Sequence, residues 1–183
     1  MDNGASSYRR FLAGDESAFG ELMEELFRGL VFFIDGFVHD LYAAEDIAID
    51  TFSDLVVHRH RYNFKVSLKT YLYMIGRSRA LDYIKHRKVI DFVELSEADA
   101  IADDRVELEE QMLSSDRKRL IRRAVCTLPE EMCTAVHLVY FEEMTYEEAA
   151  KVMRKNRKQV DNLLYRAKKE LRIILGKDGE LLL

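Results

Sequence analysis

Apolar residues in the N-terminal half recur every three or four positions, which is the spacing of one face of an α-helix. The first set follows Asp15, a residue type that caps helices, and consists of Phe19, Leu22, Met23, Leu26, Phe27 and Leu30. A second run comprises Phe33, Phe37, Val38 and Leu41. A third helix is predicted from near Ala43, with an inner face of Ile47, Ala48, Thr51, Phe52, Leu55 and Val56. A fourth is predicted from near Ser67 to Lys88, so we expect a helical N-terminal domain.

The C-terminal half predicts a helix-turn-helix. Leu128-Pro129-Glu130-Glu131 opens a helix with proline in a tolerated position, and Phe141 to Met144 form a turn. Thr145 and Glu148 then match a capping box, which starts a short helix through Met153. After a break at residues 154–156 comes a long helix whose predicted inner face is Val160, Leu163, Leu164, Ala167, Leu171 and Ile174. A short helix, a tight turn and a second amphipathic helix are typical of DNA-binding domains.

Composition supports an all-α fold of two small domains. The 183 residues include 1 proline and 8 glycines, which is little material for the tight turns of a β-sandwich or barrel. We expect a helical domain over residues 8–90, a linker over 91–115 and the helix-turn-helix domain over 116–176. No stretch approaches the roughly 20 apolar residues that span a bilayer, and Met1 to Arg10 lack the apolar core of a signal peptide, so we expect a cytoplasmic protein.

Cofactor and metal chemistry are not expected. Cys126 and Cys133 are predicted to be buried thiols rather than a bridge. His58 and His60 lie two residues apart, which points them in different directions on a helix. The sequence contains no phosphate-binding glycine loop, metal-ligand cluster or nucleophile motif that we recognise, so an enzyme is the least favoured class.

Charge divides the chain unevenly. The net charge is −5, but residues 89–116 carry 10 acidic residues and 1 basic residue, a net of −9, whereas residues 117–183 have a net of +5. The acidic segment reads as a linker, with a short helix near Leu108 to Leu113. The basic segment suits a polyanion such as DNA, or is an ordinary solvated surface. Whether the linker covers basic surfaces in the free protein is left open.

The predicted third helix has an acidic outer face. It carries Glu45, Asp46, Asp50 and Asp54. Like charges four residues apart repel each other, a cost that a basic partner would offset. The alternative is an ordinary solvated face.

The fourth helix and the loop before it are basic and aromatic. The loop Arg59 to Lys65 includes Arg61 and interleaved aromatic residues, and the helix carries Tyr71, Tyr73, Arg77, Arg79, Lys85, Arg87 and Lys88. Basic groups follow phosphates, and aromatic faces stack on unpaired bases. Some aromatics must belong to the core instead, and we expect Tyr83 and either Tyr71 or Tyr73 to be at least partly buried.

The outer face of the last helix is a candidate for base reading. It consists of Arg157, Lys158, Gln159, Asp161, Asn162, Tyr165, Arg166 and Lys169. Amides such as Gln159 and Asn162 suit adenine, and Arg or Lys suits guanine. Lys168, Lys169 or Arg172 would contact phosphates. The alternative is a helical hairpin that binds protein or nothing.

The two halves together resemble the extracytoplasmic-function (ECF) group of the sigma-70 family. The segment 44–52 resembles the core-binding helix, which implies that Glu45, Asp46, Asp50 and Phe52 engage the β′ clamp helices of bacterial RNA polymerase. The segment 67–83 resembles the part that melts and reads the −10 element, which adds Ser78 to the basic and aromatic candidates. Residues 128–168 resemble the −35-reading domain, which in the family also meets the β flap.

Several positions depart from the family pattern. Ile49 stands where a glutamine is usual, Tyr71 where a tryptophan is common and Ser78 where an asparagine is common. The turn 154–157 lacks the usual small residues and proline. The resemblance also leaves open whether an anti-sigma factor restrains the protein.

The function predicted from the sequence is therefore a sigma factor that binds core polymerase and promoter DNA. Two alternatives remain at this point. A stand-alone helix-turn-helix regulator explains the C-terminal half but not the acidic helix or the aromatic loop. An all-helical protein-interaction module would not bind DNA in a salt-dependent way.

Overall fold

In the computed structural model, residues 4–93, 124–125 and 127–175 are described, with the side chains of 88–93 left out. Every regular element in these ranges is a helix, as predicted. The N-terminal domain contains α1 (Ala5–Leu12), α2 (Ser17–Val38), α3 (Leu41–Val57) and α4 (Leu68–Val93), with a 3₁₀ turn at Arg59–Arg61. The C-terminal domain contains α5 (Glu130–Val136), α6 (Tyr146–Met153) and α7 (Arg157–Leu175). The short helix expected near residues 108–113 lies outside the described residues.

Helix α2 is the centre of the N-terminal domain and packs against α1, α3 and α4. The two apolar runs predicted from the sequence form one continuous helix, because Leu30 and Phe33 stay in register on its buried face. The helix ends at His39, whose φ of 58° is left-handed. Asp40 then caps α3 by accepting a hydrogen bond from the Ala43 amide at 3.1 Å, so α3 begins at Leu41 rather than near Ala43.

Helix α1 was not predicted. It buries Tyr8 and Phe11, and the Tyr8 hydroxyl donates to the carbonyl of Leu55 at 2.9 Å. Asp15 lies just before α2, as expected of a helix cap. Its side chain accepts from the Ser17 hydroxyl at 2.6 Å and pairs with Arg10, and a hydrogen bond from the Ala18 backbone in the first turn of α2 helps to lower the pKa of Asp15.

The helix-turn-helix is present as predicted. Thr145 accepts a hydrogen bond from the Glu148 amide at 3.2 Å, and the Glu148 carboxylate accepts one from the Thr145 amide at 3.0 Å, which completes the capping box. Arg154 ends α6 with a left-handed φ of 54°. The predicted inner face of α7 is buried as far as Leu171, but Ile174 is 49% exposed.

The two domains pack directly against each other. Helix α6 lies on α4, and the Phe33 ring of α2 lies 5.7 Å from the ring of His137. His137–Phe141 forms a π-helical turn after α5, an insertion that is rare and is often found at functional positions. The turn is followed directly by Glu142, whose side chain faces the N-terminal domain.

Candidate functional site

The acidic surface of α3 is defined by Glu45, Asp46, Asp50 and Asp54. Glu45, Asp46 and Asp50 are exposed, whereas the Asp54 carboxylate is only 20% exposed. Phe52 was expected to contact a partner from this helix, but it is 2% exposed and packs between the rings of Phe19 and Phe27. It is therefore a core residue here, because it points to the opposite side of α3 from the carboxylates.

Basic residues of α4 and the preceding turn compensate Asp54. Arg79 donates a hydrogen bond to it and also lies 3.5 Å from Asp50, while Arg61 lies 3.8 Å and His58 3.1 Å from Asp54. Burial alone would raise the pKa of Asp54, but Arg79 and His58 outweigh it and lower that pKa. Arg79 and Arg61, both predicted to bind DNA, are thus turned toward the acidic surface.

The loop before α4 carries an aromatic stack. Tyr62 is buried, and its ring lies 5.0 Å from the half-buried Tyr71 and 4.6 Å from Phe64. Phe64 is 37% exposed, and Arg9 lies over its ring at 4.8 Å. Phe64 was not among the predicted site residues, although its place inside a basic loop could have indicated it. Lys65 beside it is exposed.

The remaining −10 candidates have different environments. Arg77 is partly buried at 5.9 Å from the centre of the Phe37 ring, and burial lowers its pKa. Ser78 is partly buried, Lys85 and Arg87 are exposed, and the side chain of Lys88 lies outside the described residues. Tyr73 is fully buried, whereas Tyr71 and Tyr83 are partly buried, which confirms the expected division of the aromatics.

The outer face of α7 is open. Every residue predicted for base reading is exposed: Arg157, Lys158, Gln159, Asp161, Asn162, Tyr165, Arg166 and Lys169. Two of them also have local partners. The Gln159 side chain accepts from the Asn156 amide at 2.8 Å in a second capping arrangement, and Arg157 lies 3.2 Å from Glu147. Tyr165 is 72% exposed and projects fully from the helix.

Comparison with known families decides the identity. A family model described as Sigma-70 region 2 matches residues 22–89, which contain the acidic surface, the aromatic loop and most of α4. A second, described as Sigma-70, region 4, matches residues 118–171, which contain the helix-turn-helix. The chain belongs to the sigma-70 family. The order of the two regions is the one that the sequence predicted.

Similar proteins of known name place this sigma factor in the ECF group. The ECF RNA polymerase sigma factor SigM of Bacillus subtilis is 26% identical over 152 residues, covering 79% of this chain and 87% of SigM. The sigma factor YlaC of the same organism is 24% identical over 161 residues, covering 87% of this chain and 93% of YlaC. The chain thus spans nearly the whole length of both.

Solved structures share the fold of this sigma factor. The sigma factor RpoE from Bartonella quintana, in complex with the anti-sigma factor NepR, has a TM-score of 0.66 at 21% identity, covering 87% of this chain and 98% of that one. CnrH, in complex with the cytosolic domain of CnrY, has a TM-score of 0.62 at 20% identity, covering 94% of each chain. Among the described helices, none is long and apolar enough to cross a membrane.

Proposed function

We propose that this ECF sigma factor directs core RNA polymerase to promoters through three separate surfaces: the acidic surface of α3, the aromatic loop with α4, and the outer face of α7. The observation that carries the proposal is the order of the matched regions, region 2 on the N-terminal domain and region 4 on the helix-turn-helix. The surfaces lie on different helices, so one chain can hold polymerase and two promoter elements together.

The acidic surface is assigned to the polymerase. Asp46 and Glu45 are exposed, and Asp50 is 68% exposed despite its contact with Arg79. Carboxylates in this arrangement complement a basic helical partner such as the β′ clamp helices. Asp54 is excluded from direct contact because Arg79 and His58 already satisfy it.

The aromatic loop is assigned to the −10 element. A base can be held by an aromatic ring only after it has left the stack. Phe64 and Tyr71 offer the ring faces nearest the surface, and Lys65 and Arg9 supply positive charge beside them. Lys85 and Arg87, exposed further along α4, suit the phosphates of the same strand.

The outer face of α7 is assigned to the −35 element in the major groove. Asn162 lies near the N-terminal end of the helix, where recognition helices read bases, and its amide is suited to adenine. Lys169 lies two turns further on, where it suits a phosphate. Gln159 has its side-chain oxygen in the cap of α7, which leaves its amide nitrogen for a base.

The chain itself is proposed to be non-catalytic, since the polymerase performs the chemistry, and to work in the cytoplasm, where polymerase and chromosome meet. An anti-sigma factor is a further proposed partner, since the similar RpoE was solved in complex with the anti-sigma factor NepR, and the similar CnrH with the cytosolic domain of CnrY. Addition of such a protein from the same host should abolish the transcription described next.

Run-off transcription tests the function. Purified core polymerase, this protein and sheared DNA of the host should give discrete transcripts only when both proteins are present. A second reaction contains the Asn162→Ala variant, which should lose most transcripts while still binding core polymerase. Tight sequence-specific binding of duplex DNA by the protein alone, without transcripts, would instead favour a stand-alone regulator.

A further inference from the structure

A buried carboxylate joins the two domains. Glu142 belongs to the C-terminal domain and its side chain is 12% exposed, yet its oxygen Oε2 lies 2.8 Å from the ammonium of Lys69 on α4. The same ammonium donates to the main-chain carbonyl of Glu142 at 2.8 Å. His137 lies 3.3 Å from the other carboxylate oxygen. Neither Lys69 nor Glu142 is among the residues assigned above to polymerase or DNA.

Helix α2 leaves room for this carboxylate at Gly29. A Cβ added there would lie 2.7 Å from the Tyr73 hydroxyl and 2.9 Å from Glu142 Oε1, closer than real contacts allow. Glycine inside a helix is unfavourable compared with alanine. A glycine at this point is therefore explained by what packs against it, namely the side chains of Tyr73 and Glu142.

A second set of bonds crosses the same interface. Glu148 uses its oxygen Oε1 to accept from the hydroxyls of Ser67 at 3.0 Å and of Thr70 at 3.3 Å. Ser67 immediately precedes α4, and Thr70 lies in its first turn. The interface consequently covers the start of the helix that we assign to the −10 element, whereas the outer face of α7 stays exposed.

We propose that Glu142 holds the free protein in a closed form, in which the C-terminal domain covers the start of α4 and leaves the −35-reading face of α7 open. The inference rests on the proposed function of α4 and α7. In this form the acidic surface of α3, the face of α7 and the exposed −10 candidates are available, whereas the start of α4 at Ser67, Lys69 and Thr70 becomes available only when the domains separate. Polymerase or promoter DNA opens the protein by binding the separated form more tightly.

The direction of the effect follows from the buried charge. Removing one partner of a buried ion pair leaves the other charge desolvated without compensation, which favours any conformation that returns it to water. Glu142→Gln leaves the Lys69 ammonium largely buried without its carboxylate partner. Gly29→Ala disturbs the same site from α2 without changing any charge, and alanine favours the helix itself.

Small-angle X-ray scattering of the free full-length protein tests the closed form. The wild type should have a radius of gyration near the roughly 16 Å of a compact chain of this length. Glu142→Gln should shift the balance toward the open form by on the order of tenfold or more and increase the radius. Gly29→Ala should increase it as well. An extended wild type, or an unchanged radius in both variants, would overturn the proposal.

Two matched controls accompany these variants. Glu143→Gln removes the same charge one residue away, from an exposed side chain. Gly20→Ala adds a methyl group to the same helix where nothing lies within 4 Å of it. Both should keep the wild-type radius, and expansion in either would also overturn the proposal. Circular dichroism checks that helix content is kept, and if Glu142→Gln does not fold, Gly29→Ala decides.

Failure of this inference is distinguishable from failure of the proposed function. Wild-type protein that supports run-off transcription but shows no expansion in the variants is a sigma factor without this closed form. Wild-type protein that gives no transcripts with core polymerase contradicts the proposed function, whatever the scattering shows.

Discussion

Arg79 of α4 donates a hydrogen bond to Asp54 of α3. The bond joins the helix assigned to the −10 element to the helix assigned to polymerase. Because Asp50 lies 3.5 Å from the same guanidinium, Arg79 also contacts one exposed carboxylate of the acidic surface of α3. The polymerase contacts proposed for α3 are therefore linked through Arg79 to the position of α4.

Replacement of Arg79 should destabilise the N-terminal domain. Arg79→Met should lower the free energy of unfolding by about 1–2 kcal/mol, since it leaves the partly buried Asp54 with weaker compensation. Urea denaturation followed by circular dichroism measures the change. Lys85→Met is the matched control, because Lys85 and its partner Asp82 are 75% and 62% exposed and their pair should contribute little. Equal losses in the two variants would contradict the bridging role.

Charge reversal on the acidic surface of α3 should weaken polymerase binding. Asp50→Lys should weaken the affinity for core polymerase at least roughly tenfold, because the carboxylate is proposed to face basic helices. Circular dichroism should stay unchanged, since the side chain is 68% exposed. Glu25→Lys makes the same charge change on an exposed position of α2 and should bind normally. Unchanged affinity of Asp50→Lys would refute the assignment of this surface.

Two substitutions on α7 should separate base reading from phosphate binding. Asn162→Ala should reduce discrimination between −35 sequences by about 1–3 kcal/mol, with a smaller effect on non-specific affinity. Lys169→Ala should weaken binding to all sequences alike and reduce the salt dependence of log K by about one. Fluorescence anisotropy with a promoter fragment and a scrambled fragment measures both. A uniform loss in Asn162→Ala would make Asn162 a positioning contact.

Acid should weaken the interface around Glu142. Burial would raise the pKa of Glu142, but His137, Lys69 and Tyr73 outweigh it and lower that pKa to about 2, from the ordinary value of 4.5. Because the pKa is lowered in the folded protein, the ionised carboxylate contributes about 3 kcal/mol to the free energy of unfolding. This contribution is fully present above about pH 4.5 and is lost as the pH falls toward 2. The groups that face the carboxylate are Lys69 and Tyr73 from α4 and His137 from the π-helical turn.

The measurement is the Tm difference between the wild type and Glu142→Gln. The difference should be largest near neutral pH and should shrink steadily below about pH 4.5, because protonation makes the wild type resemble the variant. A difference that stays constant with pH would show that the charge of Glu142 does not contribute.

Sequence patterns gave the helix-turn-helix because its signals are local: the Thr145–Glu148 box and the apolar spacing of α7 each lie within a few residues. Helix α1 was missed since it is a single short stretch that gains its stability from burying Tyr8 and Phe11 against distant residues. The cap formed by Asn156 and Gln159 was also local and could have been found from its spacing.

The remainder of the site depends on contacts between distant parts of the chain. Phe52 was assigned to polymerase binding because of the family resemblance, although its apolar spacing already predicted the inner face of α3, where the structure buries it. The pairing of Lys69 with Glu142 could not be predicted from the sequence, because the two residues lie far apart in the chain and belong to different domains. The direction of Arg79 toward α3 was hidden for the same reason.

Glu148 divides its two oxygens between two tasks. Oε2 accepts from Thr145 within the C-terminal domain, and Oε1 accepts from Ser67 and Thr70 across the interface. When the domains part, water can replace the bonds to Oε1 while α6 keeps its cap. In the proposed open form the helix-turn-helix therefore keeps its internal cap, so separation of the domains leaves the geometry of its DNA-reading face unchanged.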